Sequence, residues 1–452
     1  MIEFLWNTVS FIVALGVLVT IHEYGHFWVA RKLGVKVITF SVGFGKPLLQ
    51  KTGKDGVQYI LAAIPLGGYV KMLDERESEQ PITKEELPFA FNQKSVWARM
   101  AIVLAGPVAN FLLAIVLYWV IFIIGTEGLK PVVGTVPTES IAAIAGLKKQ
   151  DVIVKVDNQT VKNRLDLVES IAKRLGDKDF LQLTVERKGF TQTKNLQLNL
   201  KNWHVDDEKP QILHSLGLFH PIENFTHQIG HIAEGKAASM AGIKVNDVIE
   251  MIDGVAVNNW QQLVDVIHPL ANQSVIMQIN RSGKKIELLV LIGSRQMQKR
   301  TIGYLGIGPK RINPAPYIVT QKAGFLSASL LAIETTYNKI QLTAKLFYKL
   351  IVGDISYKGI SGPFSIAKGA GQSASYGLVA FLSFLAMISV NLGFINLLPV
   401  PVLDGGHLLF FVIEAIKGKP LSKKMQEFGL QIGMMLVFAL MAIAFYNDIV
   451  IH

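Results

Sequence analysis

The chain has 452 residues, half of them hydrophobic and 17% charged, with a mean hydropathy of +0.36; this composition excludes an ordinary soluble protein and leaves room for several domains. Net charge is +11, from 45 basic against 34 acidic residues, but the basic residues are scattered, which argues against nucleic-acid binding and for contact with anionic lipid. There is no cysteine, so disulfides, thiolate zinc sites and cysteine nucleophiles are excluded, and any metal must be held by histidine and carboxylate.

The first apolar run, Phe4–Ala30, is long enough to cross a bilayer, which takes about 20 residues. It has neither the basic start nor the small-residue cleavage site of a signal peptide, and it reads as a retained transmembrane helix. Its last third holds His22, Glu23 and His26 in the order HEYGH. An ionisable group at membrane depth costs about 2.5–3.5 kcal/mol or more, and by default it marks function. Positions i and i+4 share one face of a helix, so His22 and His26 can hold a single Zn2+. Glu23 can then reach a metal-bound water without entering the coordination shell. A catalytic zinc usually takes a third protein ligand and keeps one open position.

Residues 1–30 contain no Lys or Arg, whereas eleven lie between Arg31 and Arg99. By the positive-inside rule this loop is cytoplasmic and both termini lie outside. Asp55 and Asp74 are the next carboxylates after HEYGH, and nothing around them suggests a buried site. Residues 57–72, VQYILAAIPLGGYVKM, contain strand-like apolar pieces beside Gly67, Gly68 and Tyr69, and residues 75–88, ERESEQPITKEELP, read as a polar loop. The second span, Met100–Gly125, carries GPVAN at 106–110; Gly106 and Pro107 read as helix-packing features without a catalytic role.

Between the second and third spans lies a long extracytoplasmic segment with an internal repeat. AGLKKQDVIVKVDNQTVKNRLDLVESI at 145–171 and AGIKVNDVIEMIDGVAVNNWQQLVDVI at 241–267 align without a gap at an offset of 96. In each copy a turn leads into a short strand, DVI, and a second turn leads into an amphipathic helix; LQLTV and SVIMQI follow as strands. The pattern resembles tandem PDZ domains of the circularly permuted bacterial kind over about 127–310. SLGLF at 215–219 is similar to the peptide-binding loop of the second copy, with PVVG at 131–134 as the first copy's equivalent. Residues 322–350 have apolar positions at helical spacing but too many polar interruptions to span, which predicts an amphipathic helix on the outer membrane surface or against the repeats.

The third span, Tyr376–Leu398, runs into NLLPVPVLDGGH at 396–407. Its prolines end the helix and its glycines allow close backbone approach. Asp404 is the stronger candidate for the third ligand and His407 its rival. The fourth span, Phe428–Tyr446, follows Lys417, Lys419, Lys423 and Lys424, which again mark a cytoplasmic loop.

Taken together, HEYGH, GPVAN and NLLPVPVLDGGH resemble the site-2 protease family of intramembrane zinc metalloproteases. The resemblance implies His22, His26 and Asp404 as zinc ligands and Glu23 as catalytic base. It implies that Asn396 contacts substrate or the oxyanion, and that a membrane-reentrant β-hairpin at about 57–72 presents Gly67, Gly68 and Tyr69 to substrate. It further implies a bacterial inner-membrane enzyme that cuts single-pass membrane proteins, such as a pre-trimmed anti-sigma factor or signal-peptide remnants. The expected architecture is a polytopic α-helical membrane protein of four transmembrane helices with two inserted α+β PDZ domains. Residues 1–126 would carry the first two helices, 127–221 and 222–310 the two PDZ domains, 311–372 an amphipathic helical linker on the outer face, and 373–452 the last two helices. The repeats and termini would be periplasmic and the active site near the cytoplasmic side. The reading from another class is a PDZ-bearing membrane receptor or scaffold with structural zinc, which would have no use for Glu23.

Overall fold

The computed structural model describes residues 2–76, 82–190, 192–206, 211–221, 228–258, 260–297, 300–310 and 315–451. Part of the 75–88 loop, and the expected domain boundaries at 222 and 311, lie outside these residues. The described residues up to 127 and from 320 onward form one compact unit, and those between 128 and 319 form another.

The chain begins with one long helix, α1 (Ile2–Lys32), which closes on Arg31 and Lys32 in its last turn. Next come β1 (Val37–Thr52) and β2 (Gln58–Met72). Residues 39–42 of β1 pair on one side with 68–71 of β2 and on the other with 58–61, and the far end of β1 pairs back onto 58–62. The expected hairpin within 57–72 is therefore corrected: that segment pairs with 37–52. The alternation in VITFSV was the missed signal. Phe27 and Ala30 of α1, Val35, Val37, Phe40 and Val57 bury this sheet against the end of α1, together with Ile102.

Helix α2 (Val96–Ile124) starts at Ser95, whose hydroxyl accepts from the Ala98 N–H, and contains Pro107. It meets α1 backbone to backbone: a Cβ on Gly25 would lie 2.3 Å from the Ala105 carbonyl oxygen. Small residues at such crossings let membrane helices approach closely.

The second unit begins within β3 (Thr126–Leu129) and holds two copies of one α+β arrangement. The first contains α3 (Ile141–Ile144), β4 (Val152–Val156), β5 (Gln159–Thr160), α4 (Arg164–Ala172), β6 (Phe180–Glu186), β7 (Lys194–Asn199) and α5 (Ile212–Ser215), with sheet order β5-β4-β6-β7. The second contains β8 (Ile229–Ile232), α6 (Ala237–Met240), β9 (Val248–Ile252), β10 (Val255–Ala256), α7 (Trp260–Ile267), β11 (Ser274–Arg281) and β12 (Lys284–Leu291), with sheet order β10-β9-β11-β12. Strands β13 (Gly293–Met297) and β14 (Arg300–Tyr304) pair with each other, and β15 (Ile307–Pro309) pairs with β8.

The likeness of the two copies extends beyond the repeated sequence. In one, Arg187 donates to buried Asp151 and to the Gly146 carbonyl; in the other, Arg281 donates to buried Asp247 and to the Gly242 carbonyl. Burial would raise the Asp247 carboxyl, but Arg281 and the Lys244 N–H hold it below the ordinary carboxylate value. The assignment of SLGLF is corrected: Leu213, Leu216 and Leu218 belong to the first core, and Leu216 O accepts from Ala142 N at 3.0 Å. Its counterpart is YLGI at 304–307, where Leu305 O accepts from Ala238 N at 3.0 Å. Gly217 and Gly306 both have left-handed φ, +87° and +76°. Each loop thus follows its own sheet, about 90 residues downstream of the previous one, and proximity to the second copy misassigned the first.

After β16 (Ile318–Gln321), which pairs with β3, comes α8 (Phe325–Val352). It then continues through α9 (Pro363–Ser375), α10 (Leu378–Asn396), α11 (Asp404–Lys417) and α12 (Lys423–Tyr446). Among the described residues, four helices, at 4–32, 96–124, 378–396 and 423–450, are long and apolar enough to cross a membrane. The helix expected over 322–350 is α8, but it packs on α2 and α10: Ala332 is buried with Tyr118, Ile121 and Ala386, and Thr343 donates to Asn391.

Candidate metal centre

Three side chains distant in sequence converge in the first unit. His22 and His26, one turn apart on α1, are each 8% exposed and turn Nε2 toward the same point, 3.3 Å from each other. Asp404 stands in the first turn of α11, with Oδ2 at 3.2 Å from His22 Nε2 and 3.5 Å from His26 Nε2. Among the described residues this is the group of His and carboxylate donors close enough to share a metal.

The triangle fits zinc. Donors held tetrahedrally at about 2.0–2.1 Å from Zn2+ stand about 3.3 Å apart, which matches its three edges. Asp404 Oδ2 is buried without a hydrogen bond of ordinary geometry, as expected of an atom aimed at an ion. Gly106 of α2 keeps the same space open: a Cβ there would lie 2.2 Å from His26 Nε2 and 2.8 Å from His22 Cε1. Gly106, read from sequence as packing, therefore faces the ligand-donating rings of His22 and His26, a placement that only the fold reveals.

Each donor is held from behind, and α2 does much of the holding. The Ile102 carbonyl lies 2.8 Å from His26 Nδ1 and must accept its proton, which leaves Nε2 as a free donor atom. Asn110, fully buried, lies against His22 Nδ1. Arg99 forms a two-pronged pair with Glu414 of α11 at 2.6 and 3.1 Å and stacks on Phe411, which ties the helix bearing Asp404 to α2. The LLPVPVL loop can fold back onto α11 because residues 405 and 406 are glycines; a Cβ on either would lie 2.3 Å from the carbonyls of Leu397, Leu398 or Val400.

Other predicted residues are placed as follows. Glu23 is half-buried within electrostatic reach of His26, His22 and Asp404. Gly68 lies directly upon it: a Cβ there would sit 2.9 Å from Glu23 Cγ. Gly67 has φ +140° and is roofed by the Phe44 ring, which stacks on Tyr69. Asn396 ends α10 with Nδ2 3.4 Å from His22 Nε2. His407 lies outside the triangle, beside Phe410. Asp74 is buried, but it pairs with Arg76.

Three donors able to share one metal, two of them on a helix of membrane-spanning length, with a carboxylate beside them, fit a membrane metallohydrolase. The model of peptidase family M50 matches residues 10–440, and the chain belongs to that family, the site-2 proteases. It is 44% identical over 99% of both chains to the regulator of sigma-E protease RseP of Escherichia coli, and 41% identical over 99% of both to protease RseP of Yersinia pestis. A Vibrio cholerae protein named as a zinc metalloprotease is 43% identical, again over 99% of both chains. The chain is a multi-pass membrane zinc metalloprotease.

Proposed function

We propose that this enzyme cuts single-pass membrane proteins within or beside the bacterial inner membrane, with His22, His26 and Asp404 as zinc ligands and Glu23 as general base. The convergence of the three donors beside Glu23, with both histidines and Glu23 on a helix of membrane-spanning length, carries this reading. Bound zinc would acidify a water and polarise the scissile carbonyl. Glu23 would take the water's proton and return it to the leaving nitrogen. The Asn396 amide, beside His22, would donate to the carbonyl oxygen as it gains charge.

A peptide bond inside a transmembrane helix has its polar groups paired and must be unwound before attack. Among the described residues no third strand continues the β1–β2 sheet, so the limb 68–72 keeps a free edge beside Glu23. An unwound substrate segment would add to that edge near Gly67, Gly68 and Tyr69.

The relatives named as regulators of sigma-E favour a pre-trimmed anti-sigma factor as substrate in an envelope stress response, with signal-peptide remnants a further group. The ligand assignment is tested by zinc analysis of the purified protein. Asp404→Ala is expected to lose bound zinc and cleavage, and His407→Ala to keep both; the reverse pattern would move the third ligand to His407.

The two repeated modules would be periplasmic PDZ domains acting as a size filter against substrates that still carry bulky outer domains. Deleting residues 127–310 is expected to let intact, untrimmed substrates be cut in a cell-based cleavage assay. A deletion variant that still cuts trimmed substrate yet refuses the intact one would exclude the filter.

A further inference from the structure

The Asn110 amide nitrogen lies 3.1 Å from His22 Nδ1, while its amide oxygen is buried with no partner. The two ends of a carboxamide are told apart by such partners. Turning the amide over brings Oδ1 to His22 Nδ1 as an acceptor and moves Nδ2 to the position where the oxygen met no donor. The alternative, an amide N–H donating to Nδ1, would force the imidazole proton onto Nε2. That nitrogen already faces His26 Nε2 at 3.3 Å and Asp404 Oδ2 at 3.2 Å, and it is the one that must offer a lone pair to a metal.

We infer that Asn110 is a positioning residue: its Oδ1 accepts the His22 Nδ1 proton and so fixes the tautomer in which Nε2 can bind zinc. This rests on the zinc reading above and extends it one layer outward. The pairing parallels that of His26, whose Nδ1 proton goes to the Ile102 carbonyl, about two turns earlier on α2. It has its own support, since the Ser389 hydroxyl of α10 donates to the Asn110 backbone carbonyl at 2.7 Å. Ser389 and Asn110 are both fully buried, so no water competes for the amide. A carbonyl or carboxylate behind a ligating histidine fixes its ring and raises its basicity, and loss of such a partner typically lowers metal affinity about 10–100-fold.

The test measures zinc affinity of the purified full-length protein by competition with a chelator, for wild type, Asn110→Asp and Asn110→Leu. Asn110→Asp keeps an acceptor and is expected to bind zinc at least as tightly as wild type. Asn110→Leu keeps the bulk without an acceptor and is expected to bind about 10–100-fold more weakly. Wild-type affinity in Asn110→Leu would overturn the inference, and so would equal losses in both variants, which would mark a packing role. Should Asn110→Leu fail to fold, folded Asn110→Asp decides alone, because a tenfold loss there is incompatible with an acceptor role. Wild-type protein that binds no zinc would instead defeat the underlying metal assignment, a separate outcome.

Discussion

Glu23→Gln is expected to retain one zinc per chain while cleavage falls about 10²–10⁴-fold, the usual contribution of a positioned general base. Glutamine matches glutamate in shape, so the space under Gly68 stays filled, but the amide cannot take a proton from water. The three donor atoms are untouched, because Glu23 lies outside the triangle of His22, His26 and Asp404. Zinc stoichiometry and turnover of a membrane substrate are measured on the same preparation. Unchanged turnover would move the base elsewhere, and loss of zinc would place Glu23 in the coordination sphere. A receptor or scaffold with structural zinc predicts no turnover even for wild type.

Gly106→Ala is expected to reduce zinc affinity about 10–100-fold and to depress cleavage at least as far, since a displacement of about 1 Å at a reacting centre can lower rates 10²-fold. The added methyl would overlap His26 Nε2, and neither ring can swing away freely, because Ile102 holds one and Asn110 lies against the other. Gly16→Ala, in α1 but with open space around its Cβ position, is the control and should leave both quantities unchanged. Full zinc occupancy with normal turnover in Gly106→Ala would show that the metal does not sit on this face of α2.

Much of this site could be read from the chain because its chemistry is concentrated in short motifs. HEYGH states its own geometry, since a helix brings His22 and His26 onto a common face about 6 Å apart along its axis, whereas a strand would hold them about 13 Å apart. NLLPVPVLDGGH announces a broken helix and a lone carboxylate. Nothing local in the chain says that Gly106 lies between the histidines, because a glycine's role at a helix crossing depends on what crosses it. Arg99 likewise reads as one more basic residue in a cytoplasmic loop, and its pairing with Glu414 spans 315 positions. Strand β1 was hidden behind Gly43, Gly45 and Pro47, which interrupt its alternation, while the tertiary sheet tolerates them. The second counterpart of SLGLF, YLGI, escaped because each such loop comes after the sheet of its own module.

The separation of the donors along the chain has a consequence in time. His22 and His26 are made first, and Asp404 follows 378 residues later, after both repeated modules and four further helices. At about 5–20 residues per second, the nascent chain passes roughly 20–75 seconds with two donors and no third. During that interval α1 and α2 can already pack, with Gly106, Ile102 and Asn110 in place around the histidines. With His22, His26 and Asp404 as the proposed ligand set, the protease would emerge from the ribosome unarmed and would become able to cut only when nearly all of its own chain has been delivered.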